Sequence, residues 1–149
     1  MKTQKNFLST MHKASKWGFV FSIMLLIFSV SNQEASRSSE LSESVLSIFT
    51  NFFNISPNDT LHLLIRKLAH LTIYALLGFF TVNALVINTI KPKDFLVALA
   101  ICVLYAMSDE FHQTFIPGRS GEVSDVMIDT LGSILGITMY QLIKPLIKD

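Results

Sequence analysis

The chain has 149 residues, of which 50% are hydrophobic and 15% are charged, and its formal net charge at pH 7 is +1. A soluble domain typically has about 25% charged residues, and one this small has too little core for so many apolar side chains, so the composition favours an integral membrane protein. The near-zero charge gives no support for nucleic-acid binding, and the single cysteine, Cys102, excludes an intrachain disulfide and a cysteine-rich metal site.

Four apolar segments predict four transmembrane helices in a single membrane domain comprising residues 1–149. The first follows a basic N-terminal region and covers about residues 15–31. Because no convincing signal-peptidase site follows it, we expect an uncleaved helix. The others cover about residues 68–90, 95–115 and 123–143. At ~1.5 Å per residue, each segment crosses all or most of a ~30 Å hydrocarbon core.

The basic residues predict the orientation of these helices. Eight of the twelve Lys and Arg residues lie in the N-terminal tail, in the short loop around Lys91 and Lys93, and at the C-terminus. The other four lie in the alternate loops. The positive-inside rule therefore places both termini in the cytoplasm.

The first outer loop, residues 31–67, contains an amphipathic stretch. The sequence VLSIFTNFFNI places Val45, Ile48, Phe49, Phe52 and Ile55 on one helical stripe. This pattern predicts a short helix lying in the outer interface. The predicted fold is thus all-α, a bundle of four transmembrane helices with a short interfacial helix in the first outer loop.

Ionisable residues gather at the outer end of three predicted helices. Arg66, His70 and Tyr74 are four residues apart and form one stripe, while Asp125 and Asp129 occupy the first two turns of the last helix. The apolar part of the third segment is too short to cross the membrane, so its helix must include DEFHQTF. Because such groups cost several kcal/mol when they face lipid, we expect them to pair inside the bundle. The predicted pocket, open to the outer face, contains Arg66, His70, Tyr74, Tyr105, Asp109, Glu110, His112, Gln113, Arg119, Asp125 and Asp129.

The residue types leave several roles open for this pocket. Arg66 and Arg119 could receive a phosphate or carboxylate, for example of a lipid headgroup or a cell-wall precursor. Alternatively, the cluster could have a purely structural role and hold the helices together. Arg66 and Lys67 could also be ordinary anchors at the membrane interface. Four further residues could hold a divalent metal or act as acid and base, namely Asp109, His112, Asp125 and Asp129. Their spacing matches no zinc signature, so the sequence assigns neither a metal nor catalytic residues.

Two stretches carry a resemblance to a known family. RKLAHLTIYALLG (66–78) and YAMSDEFHQTFIPGRSGEVSDVMIDTLGSILG (105–136) resemble the VanZ-like family of bacterial membrane proteins. Its pattern runs R-K-x-x-H-x-x-E-Y, then Y-x-x-x-D-E-x-H-Q-x-x-x-x-G-R-x-G and D-x-x-x-(N/D)-x-x-G. The matching positions are Arg66, Lys67, His70, Tyr74, Asp109, Glu110, His112, Gln113, Gly118, Arg119, Gly121, Asp125, Asp129 and Gly132. The chain departs from this pattern at one position, where it has Ile73 and the family commonly has Glu.

The resemblance implies a multi-pass protein of the bacterial cytoplasmic membrane with a role in the cell envelope, such as lowering susceptibility to teicoplanin-type glycopeptide antibiotics. The expected partners are membrane lipids and either a glycopeptide antibiotic or an envelope precursor, with no nucleic acid. The alternative is a membrane-embedded enzyme, a metal-assisted hydrolase or transferase that acts on a lipid-linked envelope substrate. The resemblance assigns no reaction, no cofactor and no oligomeric state. If the family's Glu were an essential ligand or base, the site with Ile73 would work differently.

Cysteine substitution tests the predicted orientation. In a Cys102→Ser background, Glu34→Cys and Gly121→Cys should react with a membrane-impermeant maleimide added to intact cells, because both positions lie in predicted outer loops. Lys93→Cys should react only after the membrane is permeabilised. Labelling of Lys93→Cys in intact cells, without labelling of the other two variants, would show that the orientation is the opposite of the predicted one.

Overall fold

The structure is a computed structural model that describes residues 2–32, 59–86 and 91–146. These ranges form four helices, α1 (Lys2–Ser31), α2 (Asp59–Leu85), α3 (Pro92–Gln113) and α4 (Val123–Ile143). Each helix contains a stretch of 21 to 23 residues that is long and apolar enough to cross a membrane. The predicted all-α bundle of four membrane-spanning helices is therefore confirmed. The orientation stays a prediction, and the interfacial helix predicted around residues 45–55 lies outside the described residues.

The helix ends differ from the predicted ones in three of the four helices. α1 begins at Lys2 rather than near residue 15, and α2 runs from Asp59 to Leu85 rather than from 68 to 90. α3 begins and ends two to three residues earlier than predicted, whereas α4 covers the predicted range. Hydropathy marks only the part of a helix that lies in lipid, but backbone hydrogen bonding continues through polar turns. At the start of α3, the Asp94 carboxylate accepts a hydrogen bond from the Lys91 backbone N–H at 2.9 Å, which caps the helix.

Small residues allow α2 and α4 to pack with their backbones in close approach. A Cβ added at Gly132 would meet the backbone of Leu71, and one added at Gly136 would meet the backbone of Ala75. Gly78 of α2 makes the reciprocal approach to the backbone of α4. Small residues four apart are typical of close helix packing in membranes, where van der Waals contact supplies much of the attraction.

α1 and α3 pack around this pair and complete the core. One buried cluster contains Val20, Ile27, Tyr74, Leu77, Ala84, Cys102 and Ala106. A second cluster contains Val82, Val86, Ala98, Ile137 and Tyr140. The opposite faces carry exposed apolar side chains, including Leu25, Leu104 and Leu135. Such a surface suits a helix bundle whose outside contacts lipid.

Gly136→Ala should destabilise the bundle, because its methyl group would overlap the backbone of Ala75 and push α4 away from α2. Overpacking of this kind costs about 1–3 kcal/mol and should outweigh the roughly 1 kcal/mol that Ala gains over Gly in helix propensity. The measurement is the midpoint of thermal unfolding of the purified protein in detergent. Gly18→Ala in α1 is the matched control, since no described atom lies within 4 Å of its added Cβ. Equal loss in both variants would contradict the packing argument.

Candidate functional site

The polar site lies at the end of the bundle where α1 and α3 end and α2 and α4 begin. The loop of residues 114–122 joins α3 to α4 beside it. Gly118 has a φ of 76°, a left-handed conformation that favours glycine. Gly121 packs on the backbone of α3, and a Cβ there would lie 2.5 Å from the Glu110 carbonyl oxygen. Ser120, which is exposed, is therefore a better position than Gly121 for labelling this loop.

A histidine and an aspartate on facing helices form the centre of the site. Nδ1 of His70 lies 3.2 Å from Oδ1 of Asp129, within hydrogen-bond and ion-pair distance. Asp129 is fully buried, and its second oxygen, Oδ2, has no hydrogen-bond partner among the described residues. A buried carboxylate oxygen without a partner costs free energy. Oδ2 is therefore a candidate contact for a bound water, ion or ligand.

Gln113 connects the two carboxylates of α3. Its Nε2 donates to Oδ2 of Asp109 at 3.2 Å and to Oε1 of Glu110 at 3.1 Å. The backbone N–H of Glu122 donates to Oε2 of Glu110 at 3.0 Å. All three α3 side chains are buried. These donors fix the orientation of the Glu110 carboxylate and offset part of the cost of burying it.

An outer cavity of about 90 Å³ lies between the start of α2, the start of α4 and the loop. Nζ of Lys67 lies 3.6 Å from Oδ1 of Asp125 at this cavity. Arg66 is half-buried, and its Nε has no hydrogen-bond partner within the described part of the chain. Burial lowers the pKa of the Arg119 guanidinium, and the positive charge of Arg66 lowers it further. The cavity is lined by Leu63, Arg66, Lys67, His70, Gly118, Arg119, Ser120, Glu122, Asp125 and Ile128.

An inner cavity, also about 90 Å³, lies between α1, α2 and α3. His70 and Arg119 line both cavities and so stand between them. Among the polar atoms in its lining, Oγ of Ser31, the hydroxyl of Tyr74 and Oδ1 of Asp109 have no hydrogen-bond partner in the described part of the chain. The rest of the lining is apolar and consists of Ile27, Val30, Ala69 and Ile73.

The structure brings most of the predicted site residues together. Arg66, His70, Arg119 and Asp125 line the outer cavity, and Tyr74 and Asp109 line the inner one together with His70 and Arg119. Glu110, Gln113 and Asp129 are buried between the helices.

Two predicted pocket residues point elsewhere, toward α1. Nε2 of His112 lies 3.3 Å from Oδ1 of Asn32, and its ring packs on Phe28 with centroids 4.8 Å apart. The hydroxyl of Tyr105 donates to the Met24 carbonyl oxygen at 2.5 Å. Both side chains therefore connect α3 to α1, and neither lines the outer or the inner cavity.

Three residues contribute to the site although the predicted pocket omits them. Lys67 pairs with Asp125, and its position beside Arg66 in the family pattern could have identified it. The backbone of Glu122 holds Glu110. The carbonyl oxygen of Ser31 accepts a hydrogen bond from Nη1 of Arg119 at 2.6 Å. The sequence carries no signal for this last contact, because it depends on how α1 packs against the loop.

The metal-ligating atoms that lie close together differ from the predicted set. Three potential ligand atoms lie within 4.8 Å of one another, one each from His70, Glu110 and Asp129. The three residues belong to three different helices. The predicted set of Asp109, His112, Asp125 and Asp129 does not form such a group in the described part of the chain. The reason is geometric, because His112 contacts α1 and Asp125 pairs with Lys67.

Comparison with known proteins gives one family. The family described as VanZ/LLP1 matches residues 16–144, a range that includes every site residue and most of all four membrane-spanning stretches. No curated protein and no solved structure matches the chain. The match extends over far more than half of the sequence, and so the chain belongs to the VanZ/LLP1 family.

Proposed function

We propose that this multi-pass membrane protein binds the anionic headgroup of an envelope amphiphile in its outer cavity and thereby lowers susceptibility to teicoplanin-type glycopeptide antibiotics. The observation that carries this proposal is the pairing of two like charges in one small cavity. Arg66 and Arg119 both line it, and burial and the charge of Arg66 lower the pKa of Arg119, whereas the carboxylates of Asp109, Glu110 and Asp125 act in the opposite direction. An anion bound between the two guanidinium groups would relieve this repulsion and give Nε of Arg66 an acceptor.

The inner cavity supports an amphiphile as the ligand rather than a water-soluble anion. It adjoins the outer cavity at His70 and Arg119, and its wall includes Ile27, Val30 and Ile73. A headgroup held by Arg119 would therefore have an apolar surface next to it. Envelope precursors and membrane lipids combine a phosphate or carboxylate with an acyl or prenyl chain, and a site that joins a cationic and an apolar region fits this chemistry.

The proposed location is the cytoplasmic membrane of a bacterium, with the outer cavity facing away from the cytoplasm. The support for this location is the family membership, the four membrane-spanning stretches and the distribution of Lys and Arg along the sequence. On this side of the membrane the cavity would meet envelope precursors and a glycopeptide antibiotic directly.

The resistance role is tested by expressing the chain in a teicoplanin-sensitive host. The wild-type chain should raise the inhibitory concentration of teicoplanin, with vancomycin as the comparison drug. Arg66→Gln should abolish most of this increase, because loss of a charge-assisted hydrogen bond of about 1.5–3 kcal/mol weakens ligand binding by roughly tenfold or more. Lys93→Gln is the matched control, since it removes one positive charge from an exposed residue near the start of α3.

The amount of each variant in the membrane is measured by immunoblot, so that binding and folding effects are separated. No change in teicoplanin susceptibility with the wild-type chain would overturn the resistance role. If Arg66→Gln lowers resistance only in proportion to a lower amount of protein in the membrane, Arg66 instead holds the helices together.

A second candidate function is a hydrolase or transferase that acts on a lipid-linked envelope substrate. The observation that favours it is the His70–Asp129 pair, because His70 lines the outer cavity and could exchange a proton with a substrate bound there. The test is incubation of the purified protein with a polyprenyl-diphosphate-linked saccharide, followed by chromatography of the products. Turnover that is lost in His70→Gln would support an enzyme, and unchanged substrate would exclude turnover of this substrate class.

A further inference from the structure

The deepest part of the site has more negative than positive charge. The outer cavity is lined by three basic residues, Arg66, Lys67 and Arg119, and by two carboxylates, Glu122 and Asp125. Below it, three buried carboxylates lie around one histidine, which is half-buried. Counting His70 as neutral, the five carboxylates exceed the three basic residues by two charges. A dication bound in the deeper layer would cancel this excess where water is scarce and charge is most costly.

The three donor atoms of this layer lie near the spacing that ligands of one ion require. Metal ions such as Zn²⁺ bind histidine nitrogen and carboxylate oxygen at about 2.0–2.2 Å, so two ligands at a tetrahedral angle lie about 3.3–3.6 Å apart. Nδ1 of His70 and Oδ1 of Asp129 are separated by 3.2 Å. The whole group lies within 4.8 Å, and a side-chain shift of about an ångström brings such a group to the ligand spacing. A shift of Glu110 must keep or exchange the hydrogen bonds that its carboxylate accepts from Gln113 and from the backbone of Glu122.

An independent observation also points to a ligand in this layer. Oδ2 of Asp129 is buried on a fully buried residue and accepts no hydrogen bond from any described residue. An ionised carboxylate in a membrane bundle is costly unless its oxygens are paired or coordinated. Glu110, by contrast, is held in place by the Gln113 side chain and the Glu122 backbone. Outer hydrogen bonds of this kind orient a carboxylate that ligates a metal.

We propose that His70, Glu110 and Asp129 form a binding site for one divalent metal ion, with Zn²⁺ as the ion that best matches one imidazole and two carboxylates. Three protein ligands leave a further coordination position, as in zinc sites that bind water or substrate. Because His70 also lines the outer cavity, a ligand held there by Arg66 and Arg119 would lie next to the ion. The site requires neither the antibiotic role nor catalysis, so its test is independent of both.

The test uses the full chain purified in detergent, with its affinity tag removed and bound metal stripped by a chelator. Titration with ZnCl₂ in a calorimeter should show one ion bound per chain, and elemental analysis after dialysis should give the same ratio. Asp129→Asn, Glu110→Gln and His70→Gln should each weaken Zn²⁺ binding by at least about 100-fold, since even loss of an outer hydrogen bond costs about 10–100-fold. MgCl₂ should bind far more weakly, because this ion prefers oxygen ligands.

Two matched variants distinguish this site from general attraction to acidic residues. Asp125→Asn and His112→Gln make the same chemical changes beside the site. Neither side chain belongs to the donor group, so His112→Gln should leave Zn²⁺ affinity nearly unchanged. Asp125→Asn should weaken it by less than about tenfold, because the Asp125 charge acts on all three donors only from a distance. Absence of stoichiometric binding to the wild-type chain would overturn the proposal, as would equal weakening by Asp125→Asn. Thermal unfolding of every variant identifies any that fails to fold. A visible absorption band of Co²⁺ bound to the wild-type chain, lost in Glu110→Gln and kept in Asp125→Asn, would support the site independently.

Discussion

The close approach of α2 and α4 is the constraint on which the site depends. Gly132 of α4 packs against the backbone of Leu71 of α2. His70 precedes Leu71 directly, and Asp129 lies one turn before Gly132, so the backbone contact sets the distance between the two side chains. A bulkier residue at Gly132 would separate the imidazole from the carboxylate, whose atoms now lie 3.2 Å apart. Packing that is ordinary for membrane helices thus brings together two polar groups that would be costly in lipid separately.

The charges of the site are arranged in two layers with different partners. Near the end of the bundle, each basic side chain has its own surroundings. Arg66 lines the outer cavity, Lys67 pairs with the Asp125 carboxylate, and Arg119 donates to the Ser31 carbonyl oxygen. Deeper in the bundle, the carboxylates accept hydrogen bonds from the amide of Gln113 and the backbone of Glu122, and the ring of His70 lies within hydrogen-bond distance of Asp129. Neutral donors compensate a buried charge only in part. An anion is therefore suited to the first layer and a cation to the second.

The sequence predicted the fold well because lipid restricts the alternatives, whereas it predicted the site only as a group of residues. Apolar segments of sufficient length must form helices in a bilayer, and both ends of α4 coincide with changes in polarity, so its bounds were predictable. The first turns of α2 are partly polar and were missed. Within α3, Glu110 and His112 point roughly 160° apart at about 100° per residue, so they cannot both face α4. Which one does so depends on the position of α1, which contacts His112 through Phe28.

Ile73 determines the character of the inner cavity, because it stands where the family pattern has Glu. It lies in the wall of the inner cavity with Tyr74 and Asp109. The Tyr74 hydroxyl and Oδ1 of Asp109 have no hydrogen-bond partner among the described residues. A carboxylate at this position would offer the Tyr74 hydroxyl an acceptor and would add a negative charge near Arg119. With Ile73, the hydroxyl has no acceptor among the described residues and the wall is apolar. The proposed metal ligands are unchanged by this difference, so Ile73 alters what fits beside Arg119 and leaves the deeper layer intact.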